Sequence, residues 1–351
     1  MTHPPSSQAR PHPLLELTLA RFREFLREPE AMFWVFGFPL IMTCALGIAF
    51  RSRGQEPIIA GVVERAGADQ VVAALAQAGG FTVRRMAEAE IAQAVRDGRA
   101  SVVVVPGTPP TYRFDEARAE SQVARLAVDR ALQRAAGRAD AFTPVEAPVQ
   151  AVGSRYIDWL VPGLLGMNIM STGLWGVAFS IVQARSKKLL KRLAATPMSK
   201  THYLASHIIS RLLFLALETV VIVGFARIAF EVEVHGALWA LAVLALLGAL
   251  AFGAIGLLVA SRVRTIEAVS GLMNLVMLPM WVLSGVFFAS TNFPEVMQPV
   301  IRALPLTALI DALRAVINDG RPLTALIPEM AVLAAWGSAS FALTLRLFRW
   351  Q

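Results

Sequence analysis

One carboxylate stands where a carboxylate is costly. Glu218 lies in the middle of LLFLALETVVIVGFARI, an apolar run long enough to cross a bilayer, and an unpaired charge there must face protein or water rather than lipid. Arg211, two helical turns earlier on roughly the same face, and Arg227, nine residues later, are its candidate partners. Two roles fit this pattern: a structural ion pair or interhelical hydrogen bond, and an intramembrane site that contacts a cationic cargo or relays protons. Other chemistry lacks its residues. There is no GxxxxGK[ST] loop and no strand-linked GxGxxG to cradle a nucleotide, and no GxSxG or HExxH to build a hydrolytic centre. Acidic neighbours such as Asp115 and Glu116 read as a solvated surface pair. The single cysteine, Cys44, sits in an apolar run, and His202 and His207 are five apart, on different helix faces. No catalytic residue, cofactor site or metal site is expected in this chain.

A second group of residues is a polar island, Gln183 to Thr201. It holds all four lysines, Lys187, Lys188, Lys191 and Lys200, together with Arg185 and Arg192. Basic residues gather in short loops on the cytoplasmic side of a membrane, so residues 183–201 should be the main cytoplasmic loop and should set the direction of every span. Leu189, Leu190 and Leu193 recur at helical spacing and Pro197 ends the run, which describes a short amphipathic helix able to seat on a soluble partner.

The elements that must position these residues follow from composition and period. At 351 residues, 56% hydrophobic and 17% charged, with a mean hydropathy of +0.56, the chain reads as an α-helical polytopic membrane protein with an inserted small α/β extracytoplasmic domain. The net charge of +8 is absorbed by loop topology, and no nucleic-acid partner is implied. Residues 1–30 form a tail and an interfacial helix, with Leu15, Leu19, Phe22 and Leu26 opposite Arg21, Arg23, Glu24 and Arg27. Residues 31–50 carry no charge and form the first transmembrane helix; mixed charges ahead of them and the lack of a small-x-small site argue against a cleaved leader.

Residues 51–156 contain no run able to span a bilayer and read as strands at 58–63, 81–85, 101–105 and 111–114 between helices at 68–78, 87–96 and 119–136. Residues 157–351 carry five further spans, at 159–182, 204–230, 237–260, 269–289 and 326–345. Six in all would leave both termini cytoplasmic and residues 51–156 outside. Residues 292–320 read as an external amphipathic or partly re-entrant segment, because Leu309, Leu313 and Val316 alternate with Arg302, Asp311 and Arg314. In the fifth span Met273, Met277 and Met280 share one side, which suits core packing, and Pro279 and Gly285 can bend it.

The order of these elements resembles the type-2 permeases of ABC transporters. KKLLKRLAATPMSKTHYLASHIISR is similar to that family's cytoplasmic coupling region, and LPMWVLSGVFFASTNFPEVMQPVIRALPLTALIDALRAVINDG is similar to its C-terminal signature. The resemblance covers most of residues 14–348 and is weakest over the external domain, so it names no cargo. It implies a permease subunit of an ATP-driven exporter in the bacterial inner membrane, moving a drug, lipid or other amphipathic compound. A second permease chain, identical or not, and separate ABC ATPase subunits that carry ATP and Mg are the implied partners. It also implies that Lys187, Lys188, Leu189, Leu190, Lys191, Arg192, Thr196 and Pro197 dock the ATPase. Two other classes compete. An ion-driven secondary transporter asks for several charged residues at the midplane and for internal repeats. A receptor with an external sensing domain asks for fewer spans and a cytoplasmic output domain.

Overall fold

Helix is the obligatory form for a long apolar run, since it satisfies every backbone polar group within the segment. In the computed structural model, which describes residues 13–50, 57–139, 142, 145, 153, 155–186, 200–263 and 265–347, the first such run is preceded by helix α1 (Pro13–Leu26). The run itself is helical from α2 (Pro29–Met32) through a π turn at Phe33–Gly37 into α3 (Phe38–Ala49). The π turn is a local departure from the uniform α-helix expected over 31–50.

A separate unit, Ser52–Val149, follows. It comprises β1 (Ile58–Val63), α4 (Ala68–Ala78), β2 (Phe81–Met86), α5 (Ile91–Arg96), β3 (Val102–Val105), β4 (Thr111–Phe114) and α6 (Ala119–Ala135). The strands run in the order β2-β1-β3-β4. β1 pairs in parallel with β2 and β3, with Ala60 opposite Val83 and Val102, and β4 closes the sheet antiparallel to β3. The lack of polar residues in β1 (IIAGVV) and β3 (VVVV) reflects burial on both faces. Leu75 of α4 and Val128 of α6 pack with Ala60, Val62, Val102 and Val104, while Ala94 of α5 joins Val63, Met86 and Val103. The helix expected over 87–96 is split, with a 3-10 turn at Glu88–Glu90 ahead of α5.

At the β4–α6 contact the Tyr112 hydroxyl donates to Asp129 Oδ1 at 3.0 Å, and Gln133 Nε2 donates to the other carboxylate oxygen at 2.8 Å. Burial, then the bond to Asp129, push the Tyr112 phenol up to about 12. The raised value makes its contribution fully present below the ordinary tyrosine range and lost as pH rises through about 12. Tyr112→Phe should cost roughly 0.5–1 kcal/mol, since Asp129 keeps Gln133 and solvent. Faster hydrogen exchange in β4 and α6, with α4 unchanged, is the expected readout.

The other unit comprises Met1–Arg51 and Gln150–Gln351. After α1–α3 it contains α7 (Tyr156–Ser186), α8 (Lys200–Phe230), α9 (Leu238–Ala260), α10 (Ile266–Leu283), α11 (Gln298–Ala303), α12 (Pro305–Ile317) and α13 (Ile327–Leu347). Among the described residues five helices are long and apolar enough to cross a membrane: Tyr156–Gln183, Ile209–Phe230, Leu238–Ala260, Ile266–Leu283 and Leu323–Leu347. The first apolar run contributes a shorter apolar helix, Phe33–Ala49.

α7 is the centre of this unit. Leu160, Leu164, Ile169, Met170 and Leu174 along it are fully buried, as are Leu244 and Phe252 of α9. Two glycines set the spacing: a Cβ on Gly163 would lie 2.6 Å from the Val286 carbonyl oxygen, and one on Gly256 2.7 Å from that of Leu174. Neither obstacle is a side chain that could swing away, so the backbones meet at a distance only glycine permits. Met273, Met277 and Met280 of α10 are buried.

Two expectations change here. The fifth helix stops at Leu283 rather than continuing to Ala289, because Gly285 takes a φ of 75° that no helix continues through. Within the segment 292–320, α12 does not lay a polar face outward: every residue of it except Asp311 is buried, Arg314 included, whereas α11 is largely exposed around a buried Ile301. Arg314 is polar by type yet points into the bundle, where carbonyls and an indole receive it.

Candidate functional site

Glu218 and Arg211 lie together, with residues from two further helices beside them. Glu218 on α8 is 1% exposed, with Oε1 3.9 Å from Arg211 Nη1. Seven residues of α-helix place both side chains on the same face. The third member is Thr172 of α7, whose hydroxyl lies 3.2 Å from Glu218 Oε2 and 2.8 Å from the Asn168 carbonyl oxygen. One hydroxyl proton serves one of these acceptors at a time. Asn168, itself buried, donates from Nδ2 to the Val35 carbonyl oxygen in the π turn at 2.8 Å. Polar contacts therefore run without a gap from the first apolar helix across α7 to the carboxylate on α8. Arg211 Nη2 is buried without a hydrogen-bond partner among the described residues, so the guanidinium keeps a donor in reserve. Gly176 of α7 faces it: a Cβ there would sit 3.7 Å from Arg211 Nη1. Chemically this is a charged pair with a spare donor, able to hold a polar group of a passing molecule or simply to join two helices.

A second polar cluster escaped the sequence reading. The Arg314 guanidinium of α12 lies over the Trp159 ring at 3.2 Å from its centroid. It donates to the carbonyls of Trp159 and Gly285, and Nη1 is 3.6 Å from Asp311. Beside it, Asn318 Nδ2 donates to the Asp158 carbonyl at 3.1 Å. Arg155 pairs with the Asp158 carboxylate at 2.8 Å and donates to the carbonyls of Phe230 and Glu231 at the end of α8. The bond to Asp158 raises the Arg155 guanidinium above its ordinary value, and a cation at a helix C-terminus also meets the negative end of the helix dipole. The start of α7, the end of α8 and α12 are thus tied by charge-assisted bonds. A cation in an apolar run three residues after an acid was the available signal. Its spacing reads as an external amphipathic or a partly re-entrant segment and does not name the carbonyls that receive it.

The residues expected to dock an ATPase, Lys187, Lys188, Leu189, Leu190, Lys191, Arg192, Thr196 and Pro197, lie outside the described residues. Among the described residues no group of three or more His, Cys, Asp or Glu is placed to hold a metal ion.

Residues 30–346 match the ABC-2 family transporter proteins. The chain belongs to that family. The inner membrane transport permease YadH of Escherichia coli strain K12 is 25% identical over 166 residues, which make up 46% of this chain and 63% of YadH. The linearmycin resistance permease protein LnrN of Bacillus subtilis strain 168 is 25% identical over 176 residues, 50% of this chain and 46% of LnrN. The chain thus spans less than two thirds of the length of either relative. Both the Arg211–Glu218 pair and the Arg314 cluster fall inside the stretch matched to the ABC-2 family, whereas α1 precedes it.

Proposed function

We propose that this chain is the permease subunit of an ATP-driven exporter in the bacterial inner membrane. In this reading the helical path Pro29–Ala49 is a sixth span, both termini are cytoplasmic, and the unit at 52–149 is external. Two permease chains surround the route, and separate ATPase subunits supply ATP and Mg. ATP binding closes the ATPase pair, and the basic segment around Lys187 to Pro197 passes the motion to α7 and α8, the helices on either side of it. The family match over residues 30–346 carries the proposal. The permease names of YadH and LnrN support it, and the second links that relative to resistance against one compound. The proposed cargo is a drug, lipid or other amphipathic compound. The Arg211–Glu218 pair serves chiefly to join α8 to α7 in this account.

The test is physical association. Purified from its native membranes, the chain should carry an ABC ATPase with it. Leu190→Asp puts a charge on the apolar face of the coupling segment and should reduce the retained ATPase at least about tenfold, the equivalent of roughly 1.4 kcal/mol, while membrane insertion is unchanged. Full retention of the ATPase by Leu190→Asp would remove the docking role, and absence of any ATPase from the native complex would remove the proposal.

A further inference from the structure

Two prolines in helical segments of this unit each free a carbonyl, and in each case an asparagine from elsewhere in the unit takes it. An α-helical residue donates its amide to the carbonyl four residues earlier; proline has no amide, and its ring crowds that same carbonyl. Pro39 therefore releases the carbonyl of Val35, and Pro162 within α7 releases that of Asp158. Val35 is the residue that Asn168 of α7 reaches at 2.8 Å, and Asp158 is the one that Asn318, just past α12, reaches at 3.1 Å. The helix around Pro39 also opens into the π turn, where the Phe38 amide reaches back to the Phe33 carbonyl. Such a turn is where a helix bends with least resistance.

We infer that Asn168 and Asn318 are positioning residues that each replace a proline's missing amide across a helix interface, and that Asn168 thereby holds the entry segment of the chain against α7. The inference stands apart from the ATP-driven reading, because it concerns how helices are joined. What Asn168 holds is substantial. Phe36 of the π turn meets Phe25 of α1 edge-on at 6.3 Å, and Phe25 and Phe22 pack on Phe214 of α8 at 4.4 and 5.3 Å. A half-buried carbonyl in an apolar run has neither water nor another donor to turn to, so without Asn168 the turn must reorganise. α1 then loses its fixed angle. With Asn168 in place, the interfacial helix, α7 and α8 move as one body, and the bond joins the entry helix to the same turn of α7 that carries Thr172 beside Glu218.

The decisive experiment is a double-mutant cycle in the full-length chain with Cys44→Ala, reconstituted in lipid. Spin labels at exposed Glu16 and Val220 report the α1–α8 distance, and labels at exposed Val220 and Leu250 report a pair remote from the turn. Asn168→Leu should make the first distance distribution about twofold wider and leave the second unchanged. Pro39→Ala supplies an amide for Val35, so Pro39→Ala with Asn168→Leu should return the first distribution to native width. Asn318→Leu should disturb neither Glu16–Val220 width nor its response to Pro39→Ala, since it serves Pro162. Native width in Asn168→Leu, equal broadening of both pairs, or failure of Pro39→Ala to narrow the distribution would each overturn the inference. If Asn168→Leu leaves no folded protein, recovery of folded protein by Pro39→Ala supports it, and no recovery overturns it.

Discussion

Arg314→Ala is expected to unseat α12 and cost about 2–4 kcal/mol, chiefly for leaving two carbonyls without a donor, since Asp311 is half exposed and stays solvated. The reasoning is an accounting of what is left behind. The carbonyls of Trp159 and Gly285 lose their donor, Asp311 loses its cation, and the indole of Trp159 faces a void where a guanidinium lay. Gly285 cannot relax to compensate, since its φ of 75° is what turns the chain out of α10. Arg314→Lys separates charge from shape. An ammonium keeps the attraction to Asp311 but has no planar fork to serve two carbonyls and lie flat on an indole, so it should recover only part of the loss. Thermal unfolding of the purified chain in lipid nanodiscs measures both. A native melting temperature for Arg314→Ala would show that the cluster holds nothing together.

Glu218 is the site of the second large effect, and its two substitutions should diverge. Glu218→Gln keeps volume and a group that can bond Thr172, losing only an ionic contact at 3.9 Å with an arginine whose side chain is 29% exposed. Glu218→Ala opens a cavity and leaves Arg211 facing it, at a cost of several kcal/mol, on the order of 2–4 after allowing for that exposure. Folded yield and melting temperature should therefore fall in the order native, Gln, Ala, with Gln close to native. In the complex with the ATPase proposed above, transport by Glu218→Gln should persist. If that complex assembled fully and were inactive, the carboxylate would be acting through its charge on cargo or protons rather than as a structural pair.

The two sites differ in how far the sequence exposes them. Arg211 and Glu218 are seven apart in one helix, and helical geometry alone pairs them. Thr172 is forty-six residues upstream of Glu218, and nothing in local spacing selects it over Ser171 or Thr219. The strands at 58–63 and 111–114 and the helix at 68–78 carry their own period and turn residues, so their limits agree with the reading. The end of the fifth span depended on whether Gly285 bent the helix or stopped it, which its neighbours in space decide. Arg314 shows the limit most plainly. A cation at helical spacing opposite leucines has the pattern of a water-facing stripe, and only carbonyls contributed by α7 and the turn after α10 make the interior acceptable to it. The π turn belongs to the same class, because Pro39 announces a freed carbonyl but not which helix will supply the donor.

α7 and α8 each contain 31 residues, a length of about 46 Å at 1.5 Å per residue. The hydrocarbon layer is about 30 Å thick, and even a tilt of about 40° leaves such a helix spanning roughly 35 Å of membrane normal. These two helices therefore overrun the oily layer at any ordinary inclination. Thickening or thinning of the bilayer by a few ångströms slides the water boundary along helix that is already formed, without stretching or unwinding it. A response to shorter or longer acyl chains should therefore fall first on the shorter Phe33–Ala49 and Ile266–Leu283 helices.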